Sequence, residues 1–94
     1  MSETTVRVEL RVLGRVQGVG FRFATEREAR RLGLRGYVQN CEDWSVEIVA
    51  EGDPENVERL VEWAGRGPRA ASVSQVDVTR RPASGEFSGF GVRG

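Results

Sequence analysis

The chain has 94 residues with 14 basic and 14 acidic side chains, so its formal net charge at neutral pH is zero. This length supports one hydrophobic core, and the balanced charge gives no overall field that would attract nucleic acid or an anionic membrane. Histidine and lysine are absent and cysteine occurs once, which excludes a Ser-His-Asp triad, a Walker-type lysine and a disulfide framework, and disfavours zinc.

The N-terminal segment lacks the features of a targeting signal. MSETTVRVE contains neither a basic region nor the apolar stretch that follows it in a secretory signal. No run of about 18 apolar residues occurs anywhere in the sequence, so a membrane-spanning helix is not predicted. We therefore expect a single domain over residues 1–94, located in the cytoplasm and without a membrane partner.

A strand and an amphipathic helix are predicted at the start of the chain, separated by a glycine-rich loop. Apolar and charged residues alternate over residues 6–12, which indicates a strand with one buried face. Residues 21–32 have helical spacing, and their apolar or small stripe consists of Phe21, Thr25, Ala29 and Leu32. Gly33 is placed to end this helix. Its solvated side is expected to carry Arg27, Arg30 and Arg31.

The middle of the chain predicts a hairpin and a second helix. Residues 34–41 and 44–51 each have the alternation of a strand, and the short polar loop between them favours antiparallel pairing. Asp53 and Pro54 are residue types favoured at the N-cap and at the first position of a helix. We expect this helix to end at Gly65, after an apolar stripe formed by Val57, Leu60, Val61 and Ala64.

The last third of the chain predicts two more strands and completes the fold. A strand is expected over residues 73–80 and a short one over residues 87–92, with a loop over residues 82–85. The order βαββαβ plus a short strand is the ferredoxin-like arrangement of the α+β class. We expect a two-layer sandwich, in which an antiparallel sheet carries both helices on one face. Many functions share this fold, so the fold alone assigns none.

The loop between the first strand and the first helix combines three glycines with an arginine. It reads GRVQGVGFR over residues 14–22, and Arg22 falls in the first helical turn. The first N–H groups of a helix lack partners, and its dipole places partial positive charge at the same end. Glycines let the backbone approach a ligand closely, and successive N–H groups form a nest for an anion.

The guanidinium of Arg22 can bind two phosphate oxygens at once, so this loop predicts a site for a phosphate-like dianion. The alternative at this point is a glycine-rich turn that binds nothing. The spacing of the glycines matches neither the dinucleotide-binding pattern nor the Walker pattern, which disfavours both of those ligands.

Two sequence blocks show a resemblance to a known family. VLGRVQGVGFR, residues 12–22, is similar to the first signature of acylphosphatases, and GYVQN, residues 36–40, resembles the second. The resemblance extends over essentially the whole chain, and it implies a small, common-type member of the family. Such an enzyme hydrolyses the carboxyl-phosphate anhydride of an acyl phosphate to carboxylate and inorganic phosphate. It uses no metal, no cofactor and no phosphoenzyme.

The resemblance also implies the residues of the site. Arg22 corresponds to the arginine that binds the substrate phosphate, and Asn40 to the asparagine that orients the attacking water. The cradle around the phosphate corresponds to Arg15, Val16, Gln17, Gly18, Val19 and Gly20. The side chain of Gln17 is expected to hold this loop in shape. No side chain is an obvious base, so we hypothesise that a phosphate oxygen of the substrate takes the proton of the water.

The sequence departs from the family pattern close to Asn40. The second signature has a glycine four residues after the asparagine, where this chain has Trp44. If that position requires a positive φ, tryptophan brings a strain of about 1 kcal/mol or more. Alternatively, the hairpin is rebuilt and Trp44 packs beside Val46. Cys41 is expected to be a small packing residue rather than a nucleophile, and Asp43 a turn residue.

Three other functions fit the same fold. A non-catalytic domain that binds or senses a small anion would use the same loop. An RNA-recognition module is disfavoured, because the first strand has no aromatic residue to stack on a base and the third has only Trp44 at its edge. The third possibility is a module at the start of a larger carbamoyl-transfer maturation protein. A free-standing enzyme is the simpler interpretation, because the chain runs from Met1 to Gly94 without zinc-finger cysteines. We expect a free-standing monomeric enzyme whose partners are an acyl phosphate and phosphate.

Overall fold

The computed structural model describes residues 4–94, and its elements follow the predicted order βαββαβ with a short additional strand. Seven elements occur along the chain: strand β1 (Val6–Arg15), helix α1 (Phe21–Arg31), strands β2 (Arg35–Asn40) and β3 (Val46–Gly52), helix α2 (Pro54–Arg66), and strands β4 (Ser72–Pro82) and β5 (Phe90–Arg93). Residues 1–3, which belong to the expected domain and to the segment inspected for a targeting signal, lie outside the described residues.

The five strands form one sheet in the order β4-β1-β3-β2-β5. Strand β1 pairs antiparallel with both β3 and β4. Strands β2 and β3 form the predicted antiparallel hairpin. Strand β5 instead pairs with β2 in parallel, so the sheet is mixed, which corrects the prediction of a purely antiparallel sheet at this edge. The cause is the connection: β4 ends opposite the start of β1, and residues 83–89 cross that end of the sheet before entering β5 alongside β2.

The hydrophobic core lies between the sheet and the two helices. The predicted stripe of α1 is fully buried, and α2 contributes the buried side chains of Val57, Leu60 and Ala64. Strand β1 presents Val8, Leu10 and Val12 to the same core, while its alternate residues Arg7, Glu9 and Arg11 form ion pairs on the opposite face. This pattern confirms that the helices cover one face of the sheet. Within residues 4–94, no helix is long and apolar enough to cross a membrane.

Some element ends differ from the predictions for local reasons. Helix α2 begins as predicted, with the Asp53 carboxylate accepting hydrogen bonds from two backbone N–H groups of the first turn. It continues to Arg66, past the predicted end at Gly65, because the N–H of Gly67 still bonds to the carbonyl oxygen of Trp63 at 2.7 Å. Strand β3 starts at residue 46 rather than 44, because residues 41–45 form a hydrogen-bonded turn.

Candidate active site

The glycine-rich loop and Asn40 lie at the same end of the sheet. Strands β1 and β2 run in the same direction, because both pair antiparallel with β3, and Val46 of β3 lies opposite both Val12 and Asn40. Strand β1 continues three residues beyond this row, to Arg15. Residues 16–20 therefore begin just past the level of Asn40, and the topology brings together two parts of the chain that the sequence separates.

Two buried side chains fix the ends of the loop. Val16 and Phe21 are each only 1% exposed, and the ring of Phe21 lies 5.6 Å from that of Trp63, centroid to centroid. Val19 packs partly against the same core. Because the side chains of Val16 and Val19 point into the protein, these residues have only backbone groups to offer a ligand. Trp63 is partly buried against the core.

The three glycines of the loop are required for different reasons. A Cβ on Gly14 would lie 2.3 Å from the carbonyl oxygen of Ser72, so this glycine allows the close approach of β1 and β4 at a register shift. Gly18 and Gly20 have φ angles of +76° and +80°, which side chains rarely adopt. Apart from the adjoining residues of the chain, no described heavy atom lies within 4 Å of a Cβ built on either of them, so this side of each glycine faces open space.

The N-terminus of α1 is open to an anion. Among the described residues, none caps this helix with its side chain, and the first turn contains no acidic residue. The first helical hydrogen bond runs from the N–H of Ala24 to the carbonyl oxygen of Gly20 at 3.0 Å, so the N–H groups of residues 21–23 have no intrahelical acceptor. These donors and the helix dipole attract negative charge to the loop.

The side chain of Arg22 lies at this same end of the sheet. Its Nη1 donates to the carbonyl oxygen of Gly94 at 2.7 Å and lies 3.5 Å from that of Arg93. Arg93 pairs with Gln39, so Gly94 lies at the level of Asn40 on the neighbouring strand, where strands are about 4.8 Å apart. Within residues 4–94, the Nε and Nη2 groups of Arg22 have no hydrogen-bond partner and can serve a ligand.

Gln17 links the glycine-rich loop to the turn between β2 and β3. Its Nε2 donates to the carbonyl oxygens of Cys41 and Ser45, each at 2.9 Å. The expected role of Gln17 in shaping the loop is therefore seen in these contacts. They also fix the distance between the loop and the residues that follow Asn40.

The turn itself is organised by Asp43. Its Oδ1 accepts a hydrogen bond from the N–H of Ser45 at 3.0 Å and a second one from the hydroxyl of the same residue. Its Oδ2 forms an ion pair with Arg11. The hydrogen bonds from Ser45 lower the pKa of the Asp43 carboxyl. Burial partly opposes this effect, and the charge of Arg11 adds to it to a lesser extent. Asp43 is thus a turn residue, as predicted.

Trp44 adopts the first of the two conformations considered from the sequence. Its φ is +73°, and its side chain is 73% exposed rather than packed beside Val46. A residue with a Cβ is strained in this region by about 1 kcal/mol or more. The exposed indole gains little burial that would offset this strain.

Several candidate side chains remain available for chemistry. The Asn40 amide is half-buried and the Arg15 guanidinium is exposed, and neither has a hydrogen-bond or ion-pair partner within residues 4–94. Cys41 is half-buried with a free thiol, and its backbone is used in the turn.

The described part of the chain contains no group of three or more His, Cys, Asp or Glu side chains arranged to hold a metal ion.

Sequence reasoning missed the attachment of β5 to α1. Arg30, expected on the solvated side of the helix, donates from Nε and Nη2 to the carbonyl oxygen of Phe90 at 3.1 and 3.0 Å. This contact fixes the strand whose end meets Arg22. No local signal predicts it, because the two residues are 60 positions apart.

Comparison with known proteins places this chain within a described family. The family model for acylphosphatase matches residues 8–92, which include the glycine-rich loop and Asn40. A protein named acylphosphatase from Thermococcus kodakarensis is 53% identical over 89 residues, which cover 95% of this chain and 97% of that protein.

Two solved structures extend the comparison to the fold. The structure of an acylphosphatase from Coxiella burnetii matches with a TM-score of 0.90 and 36% identity, covering 96% of this chain and 94% of that one. The crystal structure of HypF from T. kodakarensis matches with a TM-score of 0.80 and 34% identity, covering 93% of this chain but only 12% of HypF. The same fold therefore also occurs as a small part of a larger protein.

Proposed function

The chain belongs to the acylphosphatase family and is a hydrolase of acyl phosphates, and from this premise we propose that Arg22 and residues 15–20 bind the substrate phosphate while Asn40 orients the attacking water. The observation that carries the proposal is the convergence of three features at one end of the sheet. These are a loop with open backbone donors, an arginine with free N–H groups, and an unpartnered amide.

Binding of the phosphate relies on backbone and guanidinium donors. In this proposal, N–H groups of the loop and of the first turn of α1 surround the phosphoryl oxygens, and Arg22 supplies a planar pair of donors. The transition state of phosphoryl transfer spreads its charge over the three equatorial oxygens, so donors already aimed at these oxygens stabilise it without having to reorganise. Each important donor of this kind contributes about 3–4 kcal/mol.

The reaction then needs a water placed in line with the leaving group. The amide of Asn40 holds this water, whose oxygen forms a bond to phosphorus as the bond from phosphorus to the acyl oxygen breaks. The carboxylate leaves with the bonding electron pair, and the proton of the water passes to a phosphate oxygen. The carboxylic acid of the leaving group has a pKa of roughly 4–5, so no general acid is needed. Alignment of the water lowers the barrier by several kcal/mol.

A hydrolysis assay with benzoyl phosphate, with and without EDTA, tests the proposal. We expect turnover to persist in EDTA and to fall about 100-fold or more in Arg22→Ala and in Asn40→Ala. Arg22→Lys should also fail, because an ammonium group cannot reproduce the planar pair of donors. Arg27→Ala is the matched control, since Arg27 lies on the exposed side of the same helix and should leave turnover unchanged.

The outcomes separate the alternatives. Near-normal turnover in Arg22→Ala would overturn the assigned role of this arginine. Phosphate binding without turnover by the unmodified protein would favour a non-catalytic, anion-binding domain. Loss of turnover in EDTA that added Mg²⁺ restores would overturn the proposal that catalysis needs no metal.

We further propose that residues 1–94 act as one free-standing domain, a cytoplasmic monomer without nucleic-acid or membrane partners. The balanced charge, the single free cysteine and the near-complete coverage of the T. kodakarensis relative support this. Light scattering of the purified chain should give the mass of one copy, and a doubled mass would contradict the monomer.

A further inference from the structure

Trp44 is an exposed aromatic residue in a backbone conformation that favours glycine. Its φ is +73° and its side chain is 73% exposed. The turn geometry disfavours any side chain at this position, and core packing does not call for an indole. Residues held in such conformations are concentrated at ligand-binding sites, where the side chain has a use outside the fold.

The position of Trp44 connects it to the glycine-rich loop. Its N–H donates to the carbonyl oxygen of Cys41 at 3.1 Å, and the same oxygen accepts a hydrogen bond from Nε2 of Gln17. Gln17 also holds the carbonyl oxygen of Ser45, the residue that follows Trp44. The backbone of Trp44 is therefore fixed relative to the loop from both sides, and it follows Asn40 by four residues.

The indole is also available, in contrast to the other exposed aromatic ring near the loop. Phe23 is 61% exposed, but the Cζ atom of Arg22 lies 5.9 Å from the centroid of its ring. Within residues 4–94, Trp44 has neither a stacked ring nor a cation over its face. Its surface can therefore contact a ligand without displacing an existing interaction.

We propose that Trp44 contacts the acyl group of the substrate and gives the enzyme a preference for acyl phosphates with a planar, aromatic acyl group. The inference rests on the proposed function, because it takes the phosphate to lie on residues 15–20. In-line attack places the acyl group on the side of phosphorus opposite the water of Asn40, and we take the exposed indole to reach over the phosphate to that side. An aryl group covers the indole face there, whereas an acetyl group is too small to do so. Such a contact favours the aryl substrate about three- to tenfold.

The test compares kcat/KM for benzoyl phosphate with kcat/KM for acetyl phosphate. We expect Trp44→Gly to lower the ratio of the two values about three- to tenfold, and Trp44→Phe to retain most of the preference. Glu42→Ala is the matched control, because Glu42 is an exposed neighbour in the same turn, and it should leave both values unchanged. Inhibition by inorganic phosphate, which has no acyl group, reports on the loop and should change much less than the ratio in Trp44→Gly.

Each outcome decides the inference. An unchanged ratio in Trp44→Gly would overturn it, while the proposed function would still stand if the unmodified enzyme hydrolyses both substrates. Equal losses on both substrates with weaker phosphate inhibition would also overturn it and would assign Trp44 to the architecture of the turn. If the unmodified enzyme hydrolysed neither substrate, the proposed function would fail, and the inference with it.

Discussion

Trp44 holds its backbone at a φ of +73° while most of its side chain faces solvent, so the fold gains little from the indole. Replacement by glycine should remove a strain of about 1–2 kcal/mol, and the greater flexibility of glycine in the unfolded chain should offset part of it, which leaves a net stabilisation of about 1 kcal/mol or less. For a domain of this size, that corresponds to a rise in Tm of at most about 4–8 °C, measured by thermal unfolding.

Glu42→Gly provides the comparison for this measurement. Among residues 4–94, Trp44 is the non-glycine position with a positive φ, so glycine at 42 relieves no strain and makes the unfolded chain more flexible. We expect Glu42→Gly to lower Tm slightly. A lower Tm in Trp44→Gly as well would show that the indole stabilises the turn.

Gln17 is a positioning residue, because it reaches the turn rather than the substrate. Gln17→Ala should lower kcat several-fold by loosening the turn that follows Asn40, and should change inhibition by inorganic phosphate much less. Loss of the two hydrogen bonds should also cost about 1–3 kcal/mol of folding free energy. Gln75→Ala is the control, since within residues 4–94 the side chain of this exposed glutamine bonds only to Asp77 on the same strand. Equal weakening of kcat and of phosphate inhibition would mean that Gln17 supports the phosphate cradle as strongly as it supports the turn.

The sequence predicts single residues best where local backbone geometry decides their role. Gly18 and Gly20 could be placed in an open loop from the sequence, because closely spaced glycines before a helix indicate either a turn or an anion-binding loop. The contact of Arg22 with the carbonyl oxygen of Gly94 could not be predicted, because it depends on the direction of β5. The sequence did locate the strain at Trp44, but only the structure distinguishes it from packing beside Val46.

At the level of elements, one buried carboxylate anchors the connection between β4 and β5. Glu51 of β3 accepts hydrogen bonds from Arg7, from the N–H and hydroxyl of Ser84, and from the N–H of Gly85. Burial raises the pKa of Glu51, but the hydrogen bonds from Ser84, Arg7 and Gly85 outweigh this effect and lower it to about 2. The anchor therefore holds the segment that crosses the sheet and delivers β5.

The lowered pKa of Glu51 predicts a dependence of stability on pH. The unfolded carboxyl titrates near 4.5 and the folded one near 2, so the stabilisation is complete above about pH 4.5 and is lost as the pH falls toward 2. The difference corresponds to about 3 kcal/mol. Urea unfolding at several pH values should show Glu51→Gln less stable than the unmodified protein at pH 7, with the difference shrinking below pH 4.5.

Glu55→Gln is the control for this pH series, because Glu55 is exposed at the start of α2. Its substitution should change stability little and with no comparable trend between pH 7 and 3. If the penalty of Glu51→Gln were the same at every pH, the hydrogen bonds to its carboxylate would not be the source of the stabilisation.

The sequence predicts the helices well, because their apolar stripes and the Asp53 cap are local features. It predicts the direction of β5 poorly, since a strand of four residues, one of them glycine, carries little alternation. The path of residues 83–89 sets that direction. These residues are held by Glu51, which lies 33 and 34 positions before the Ser84 and Gly85 that it binds. Contacts of this range leave no periodic pattern in the sequence.

At the scale of the whole molecule, a neutral chain concentrates positive charge at one end. Arg15, Arg22 and the N-terminus of α1 lie together, and the side chain of Arg15 has no ion-pair partner within residues 4–94. Their field should speed the arrival of an anionic substrate, and salt should screen it. We therefore expect kcat/KM for benzoyl phosphate to fall as NaCl rises from 20 to about 200 mM.

Arg15→Gln should lower kcat/KM about two- to threefold in low salt and flatten its dependence on salt. Arg35→Gln removes the same charge at the opposite end of the sheet, where β2 begins. This substitution should change neither kcat/KM in low salt nor its dependence on salt. Equal effects of the two substitutions would point to net charge rather than to the local field.

The hydrogen bond from Arg22 to Gly94 has a consequence for the order in which the molecule forms. It joins positions 72 residues apart, and it requires β5 to have docked beside β2. Contacts that close such long loops form late in folding. During synthesis, the glycine-rich loop leaves the ribosome long before β5 does, so the newly made chain cannot complete its site until β5 has docked.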